Sequence, residues 1–150
     1  MLYRQATIDD AYKIQEIQDE VRKTLTVYFP KISHETICKY ISNAEKYPEH
    51  CMTIVAEKDG KIVGFACCSN NRGFDMLIAY NHAIYIKRDC LRTMEEITVL
   101  RNLVRACHDW SKTTNCSRMV WSIESGDWLV LQKILSCEGA RQVGVCMEYH

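Results

Sequence analysis

Thr53 to Ser69 reads TIVAEKDGKIVGFACCS, two apolar runs joined by Lys58-Asp59-Gly60-Lys61. Asp-Gly between such runs supplies the positive φ angles of a tight hairpin turn, so the stretch predicts antiparallel strands over Cys51 to Glu57 and Ile62 to Ser69. Downstream, Asn70-Asn71-Arg72-Gly73 reads as a second turn cluster and Met76 to Lys87 as a third long strand. Three antiparallel strands in series follow.

Upstream, Leu2 to Ala6 is a short strand candidate, and Thr7-Ile8-Asp9-Asp10 reads as a helix start with Thr7 as cap and acids in the first turn. Ala11, Ile14, Ile17, Val21 and Leu25 recur at three- and four-residue steps, the apolar stripe of one helix. Tyr28-Phe29-Pro30 breaks it. Ser33 then caps a second helix through Ile37, Tyr40 and Ile41 that ends before Tyr47-Pro48. Beyond the three strands, Ile97, Leu100, Val104 and Cys107 mark a helix from Met94 to about Lys112, with a turn at Thr113-Thr114-Asn115. Met119 to Ile123 reads as a strand, Trp128 to Cys137 as a short helix and Ala140 to Tyr149 as a last strand. The order is β-α-α-β-β-β-α-β-α-β, an α/β (α+β) arrangement in one domain over residues 1–150.

Nineteen basic residues balance nineteen acidic ones among 150, so no overall field points to nucleic acid or an anionic membrane. No apolar run approaches the roughly 20 residues that span a bilayer, and no signal-peptide core precedes the first patterned residues. A cytoplasmic protein is expected. The nine cysteines form no C-x-x-C pair, so no metal site is assigned, and most lie in apolar runs as small buried hydrophobes with reduced thiols. Cys107-His108 and His50-Cys51 are neighbours in sequence, which on a helix or strand do not face each other, so neither makes a thiol–imidazole nucleophile. Trp110, Trp121 and Trp128 read as core or as a subunit contact.

This element order, in a chain of this size, is similar to the GNAT family of acetyl-coenzyme A dependent N-acyltransferases. The hairpin TIVAEKDGKIVGFACCS resembles the family's second and third strands, with acid, Asp-Gly and a Val-Gly-Phe step. LVRACHDWSKTTNCSRMVWSIESG, Leu103 to Gly126, looks like the helix-to-strand passage of small acetyltransferase-like proteins encoded by bacteriophages, and KILSCEGARQVG, Lys133 to Gly144, like the family's helix end and closing strand. The resemblance implies a mixed, mostly antiparallel central sheet in which Met76 to Lys87 splays from Met119 to Ile123. Backbone near Ile84 and Ile86 would then hold the pantetheine arm of acetyl-coenzyme A. It also implies a pyrophosphate loop of the pattern Gln/Arg-x-x-Gly-x-Gly/Ala within Ile86 to Leu100, IKRDCLRTMEEITVL. That stretch has no glycine. In one register Leu91 and Thr93 take the small-residue positions; in another, Arg92, Met94 and Glu96 do. Glycine would reach left-handed backbone angles and let the chain approach an anion. Thr93-Met94-Glu95-Glu96 instead reads as a capping box, which brings acids to the helix start. Lys87, Arg88 and Arg92 offer phosphate side-chain donors in their place, with Thr93 and Met94 beside them.

The strand MLIAYNHAIYIK carries no carboxylate, which the family often uses as base, and His82 is its one group that ordinarily titrates near neutrality. His82 is therefore the candidate base. By the resemblance, Leu135 holds the position of the family's tyrosine acid, with Tyr149 a remote substitute, and Tyr28-Phe29-Pro30 lies where relatives shape the acceptor pocket. Two readings stay open. One is an acetyltransferase acting on a small-molecule or protein amine. The other is a GNAT-fold protein without catalysis, a binding or assembly module with a protein partner or a second copy of itself, as in a bacteriophage particle or host cell.

Overall fold

The computed structural model describes residues 1–24, 31–73, 75–87, 93–121 and 128–141. Strand β1 (Leu2–Gln5) leads through a short 3-10 turn into helix α1 (Ala11–Thr24), and α2 (His34–Lys46) follows. Strands β2 (Cys51–Lys58), β3 (Lys61–Gly73) and β4 (Met76–Ile86) come next, then α3 (Thr93–Thr113), β5 (Arg118–Trp121) and α4 (Trp128–Cys137). The described strands form one sheet in the order β1-β2-β3-β4-β5. The first four pair antiparallel; β4 and β5 pair parallel, because α3 carries the chain back across the sheet before β5 begins. This is the mixed, mostly antiparallel α/β sheet expected.

Local chemistry sets the element ends. Thr7 N–H donates to the Asp10 carboxylate at 2.8 Å, and Asp10 also takes two bonds from the Arg4 guanidinium, which tie β1 to the start of α1. Ser33 Oγ accepts from the Thr36 N–H as the cap of α2. Asp59 and Gly60 hold φ of 51° and 75°, as the hairpin turn requires. Asn115, at φ 59°, follows the end of α3.

The sheet is packed on both faces. Val55, Phe65 and Cys67 meet Ile14 and Ile17 of α1 and Ile37 and Ile41 of α2. On the opposite face Ala66, Cys68 and Ile84 meet Val99, Leu103 and Cys107 of α3 and Leu131 and Leu135 of α4. Gly64 lets β3, β4 and α3 converge: a Cβ there would lie 3.1 Å from the Tyr85 carbonyl oxygen and 3.3 Å from Leu103 Cδ1.

Three expectations change. Asn70 to Gly73 is not a turn but the end of β3, paired with Met76 to Ala79 of β4. The β2 pairing stops at Cys51↔Ser69, so this stretch runs beyond β2, and its polar side chains serve an edge. The reversal falls at Asp75, φ 63°. Thr93 already lies within α3 rather than capping it, and Glu95 beside it bonds to Lys58 Nζ at 2.9 Å. Ala140 and Arg141 are not in a strand; the rest of the expected last strand, including Tyr149, lies outside the described residues, as does Tyr28-Phe29-Pro30.

Candidate active site

The site is built on an irregularity in β4. Cys67 pairs with Ala83 and Cys68 with Asn81, so His82 is an extra residue opposite no partner, a β-bulge. Asn81 shares the face of Cys68, toward α3, whereas His82 and Ala83 both turn to the α1–α2 face. The described pairing of β4 with β5 ends at this point, at Asn81↔Trp121, while β4 runs on to Ile86.

Beside that last stretch of β4 lies a cavity of about 100 Å³. Its walls come from both faces of the sheet: Val21 of α1 on one side, Ile97 and Leu100 of α3 and Val130 and Leu131 of α4 on the other, with Ile84, Tyr85 and Ile86 between. The lining is mostly apolar, with Thr93 and Glu96 adding a hydroxyl and a carboxylate at the α3 end.

The predicted residues divide. Ile84, Ile86 and Thr93 line this one cavity. His82 lines a second, smaller one of about 30 Å³ with Tyr40, Gln18 and Thr53. Its Nε2 lies 2.5 Å from Ser69 Oγ, and its ring stacks on Tyr40 with centroids 6.0 Å apart. Desolvation by this packing lowers the imidazole pKa below the ordinary histidine value. At neutral pH the ring is an uncharged proton acceptor, its tautomer set by the bond to Ser69.

Lys87 turns away from the cavity, to Glu16 at 2.9 Å and Glu20 at 3.3 Å on α1. These bonds, Glu16 first, raise its pKa above the ordinary lysine value. Met94 is 72% exposed and lines neither cavity. Arg88 and Arg92 lie outside the described residues. Leu135 is buried in the α3–α4 core, so that position offers no proton. Cys67, beside His82, has its thiol pushed up to about 12 by burial, which keeps it an inert protonated thiol.

The profile described as the acetyltransferase (GNAT) family matches residues 14–127. The chain belongs to the GNAT family. No curated protein matches it. Solved structures similar to it include the ribosomal-protein-alanine N-acetyltransferase of Brucella melitensis, at TM-score 0.77 and 20% identity over 96% of this chain and 86% of that one. Another is the glucosamine-6-phosphate N-acetyltransferase of Arabidopsis thaliana, at 0.70 and 15% over 99% and 97%. An acetyltransferase of Trypanosoma brucei matches at 0.70 and 14% over 99% and 98%. At these identities the likeness is one of fold.

For this GNAT chain, sequence reasoning missed Glu96, Ile97 and Leu100 as cavity wall and Ser69 and Tyr40 as the partners of His82. Helical spacing could have supplied the first group, since Thr93, Glu96, Ile97 and Leu100 share one face of α3. Nothing local marks Ser69, thirteen positions from His82.

Proposed function

We propose that the protein is an N-acetyltransferase that moves an acetyl group from acetyl-coenzyme A to an amine. The apolar cavity beside the last stretch of β4, walled from both faces of the sheet, carries this reading. An extended strand with unpaired N–H and C=O groups can bond the amides of a pantetheine arm as a neighbouring strand would. On this reading the backbone of Ile84 and Ile86, which line the cavity, takes that part, and Thr93 sits where the arm would pass the start of α3. Arg88 and Arg92 are the phosphate donors on this reading, since Lys87 is held by α1.

His82 takes the proton of the attacking amine, directly or through one water, as the amine nitrogen bonds to the thioester carbonyl carbon and the C–S bond breaks. With Leu135 buried, water protonates the departing thiolate. Titration of the protein with acetyl-coenzyme A in a calorimeter gives micromolar binding that Arg92→Glu weakens. No heat at millimolar ligand removes this reading.

A binding or assembly protein without catalysis is the second reading. The observations that favour it are the Glu96 carboxylate on the cavity wall and the buried leucine at the acid position. Coenzyme that binds without transfer to any of a panel of amines selects it, and light scattering that shows a stable oligomer supports it.

A further inference from the structure

The apolar residues of β4 require one extra residue but do not say where it sits. Ala79 and Asn81 share one face by their pairing with Asn70 and Cys68, and Ile84 and Ile86 share it by theirs with Ala66 and Gly64. Odd positions give way to even ones on the same face, so one residue between 80 and 83 must drop out of register. Side-chain burial alone permits several choices.

Asn81 decides between them. It is 4% exposed, one of few buried polar residues. Its Nδ2 donates to the carbonyl oxygen of Ala83 at 3.1 Å and to that of Cys67 at 3.3 Å, and it lies 3.6 Å from Cys68 Sγ. Cys67 and Ala83 form the rung after the extra residue; Cys68 and Asn81 form the rung before it. One carboxamide thus ties the two rungs together across His82. A carboxamide carries two N–H donors for two carbonyls, which a carboxylate or an alkyl chain cannot supply.

We propose that Asn81 is a positioning residue that pins the β4 bulge at His82, and so aims that imidazole at Ser69 and Tyr40 on the α1–α2 face. Its part in acetyl transfer rests on the proposed function; its hold on His82 does not. With the donors removed, the extra residue is free to sit at a neighbouring position, and His82 leaves its place beside Ser69 and Tyr40 while Ile84 and Ile86 stay in the core.

Two NMR measurements test this. In the unmodified protein, the Asn81 side-chain amide protons exchange with solvent on the order of tenfold more slowly than those of the exposed Asn43 and Asn71. Exchange at the same rate overturns the proposal. In Asn81→Leu, which adds no charge, the His82 ring titrates closer to the ordinary histidine value while cooperative melting shows a folded chain. A folded Asn81→Leu with an unchanged His82 titration overturns it as well, and should that variant not fold, the exchange rates decide alone. In an active enzyme kcat falls in Asn81→Leu and calorimetric affinity for acetyl-coenzyme A holds. If the unmodified protein transfers no acetyl group, the function fails while both NMR results still judge Asn81.

Discussion

The imidazole of His82 sits between a hydroxyl and a phenol ring, and although the residue is exposed, desolvation of the ring lowers its pKa below that of a solvated histidine. Acetyl transfer should therefore hold on the acid side until pH falls below the ordinary histidine value of about 6.5, and then drop as the ring takes up a proton. His82→Gln should lower kcat by about 10²-fold and leave acetyl-coenzyme A affinity in place, as steady-state rates and calorimetry will read. Asp10 shifts in the same direction from a different cause. The Arg4 guanidinium, then the Thr7 N–H, hold its carboxyl below the usual range, against desolvation. Because the folded pKa lies below the unfolded one, the stability it confers is whole above about pH 4 and is lost as pH falls further. Asp10→Asn should cost about 2 kcal/mol in urea melts at pH 7, and the difference from the parent should shrink toward pH 3. Lys87 was legible as a basic residue beside the loop but not as a partner of α1. Lys87→Met should cost about 1 kcal/mol of stability, read by the same melts. A tenfold loss of coenzyme affinity in that variant would instead place Lys87 on the phosphates.

Among elements, β3 is where close packing leaves least room. Gly64 faces the Tyr85 carbonyl, Ile86 and Leu103 at 3.1 to 3.3 Å from an added Cβ. Gly64→Val must push the end of β4 from α3, so it should destabilise by about 1–3 kcal/mol and alter the cavity between those elements, measured by melting and by calorimetry together. The Val-Gly-Phe step was visible as a motif; the reason for its glycine was not, since α3 begins nearly thirty positions later. Helix starts at Thr7 and Ser33 and the Asp59-Gly60 turn were read correctly because each depends on bonds within a few residues. The polar run Asn70 to Gly73 misled for the same reason. Local composition says turn, and only its rungs with Met76 to Ala79 make it strand.

For the molecule as a whole, the proposed function rests on the cavity beside the last stretch of β4, where α1, α3 and α4 meet the sheet. If acetyl-coenzyme A binds there, a concentration of about 100 times its Kd should raise the free energy of unfolding by about 2.7 kcal/mol, and an unchanged melting temperature at millimolar coenzyme would rule out that site. No helix among the described residues is long and apolar enough to cross a membrane. By itself the sequence determined the type and order of the described elements and the caps at Thr7 and Ser33, because periodicity, turns and caps are settled by neighbours within about one turn of chain. It also singled out His82 as the one group of β4 that ordinarily titrates near neutrality. The tertiary structure alone decided where the bulge falls, which face His82 takes, that Lys87 belongs to α1 and which side chains wall the cavity. Those facts depend on groups meeting across 13 to 71 positions of sequence, and no local pattern encodes which distant residue will stand opposite.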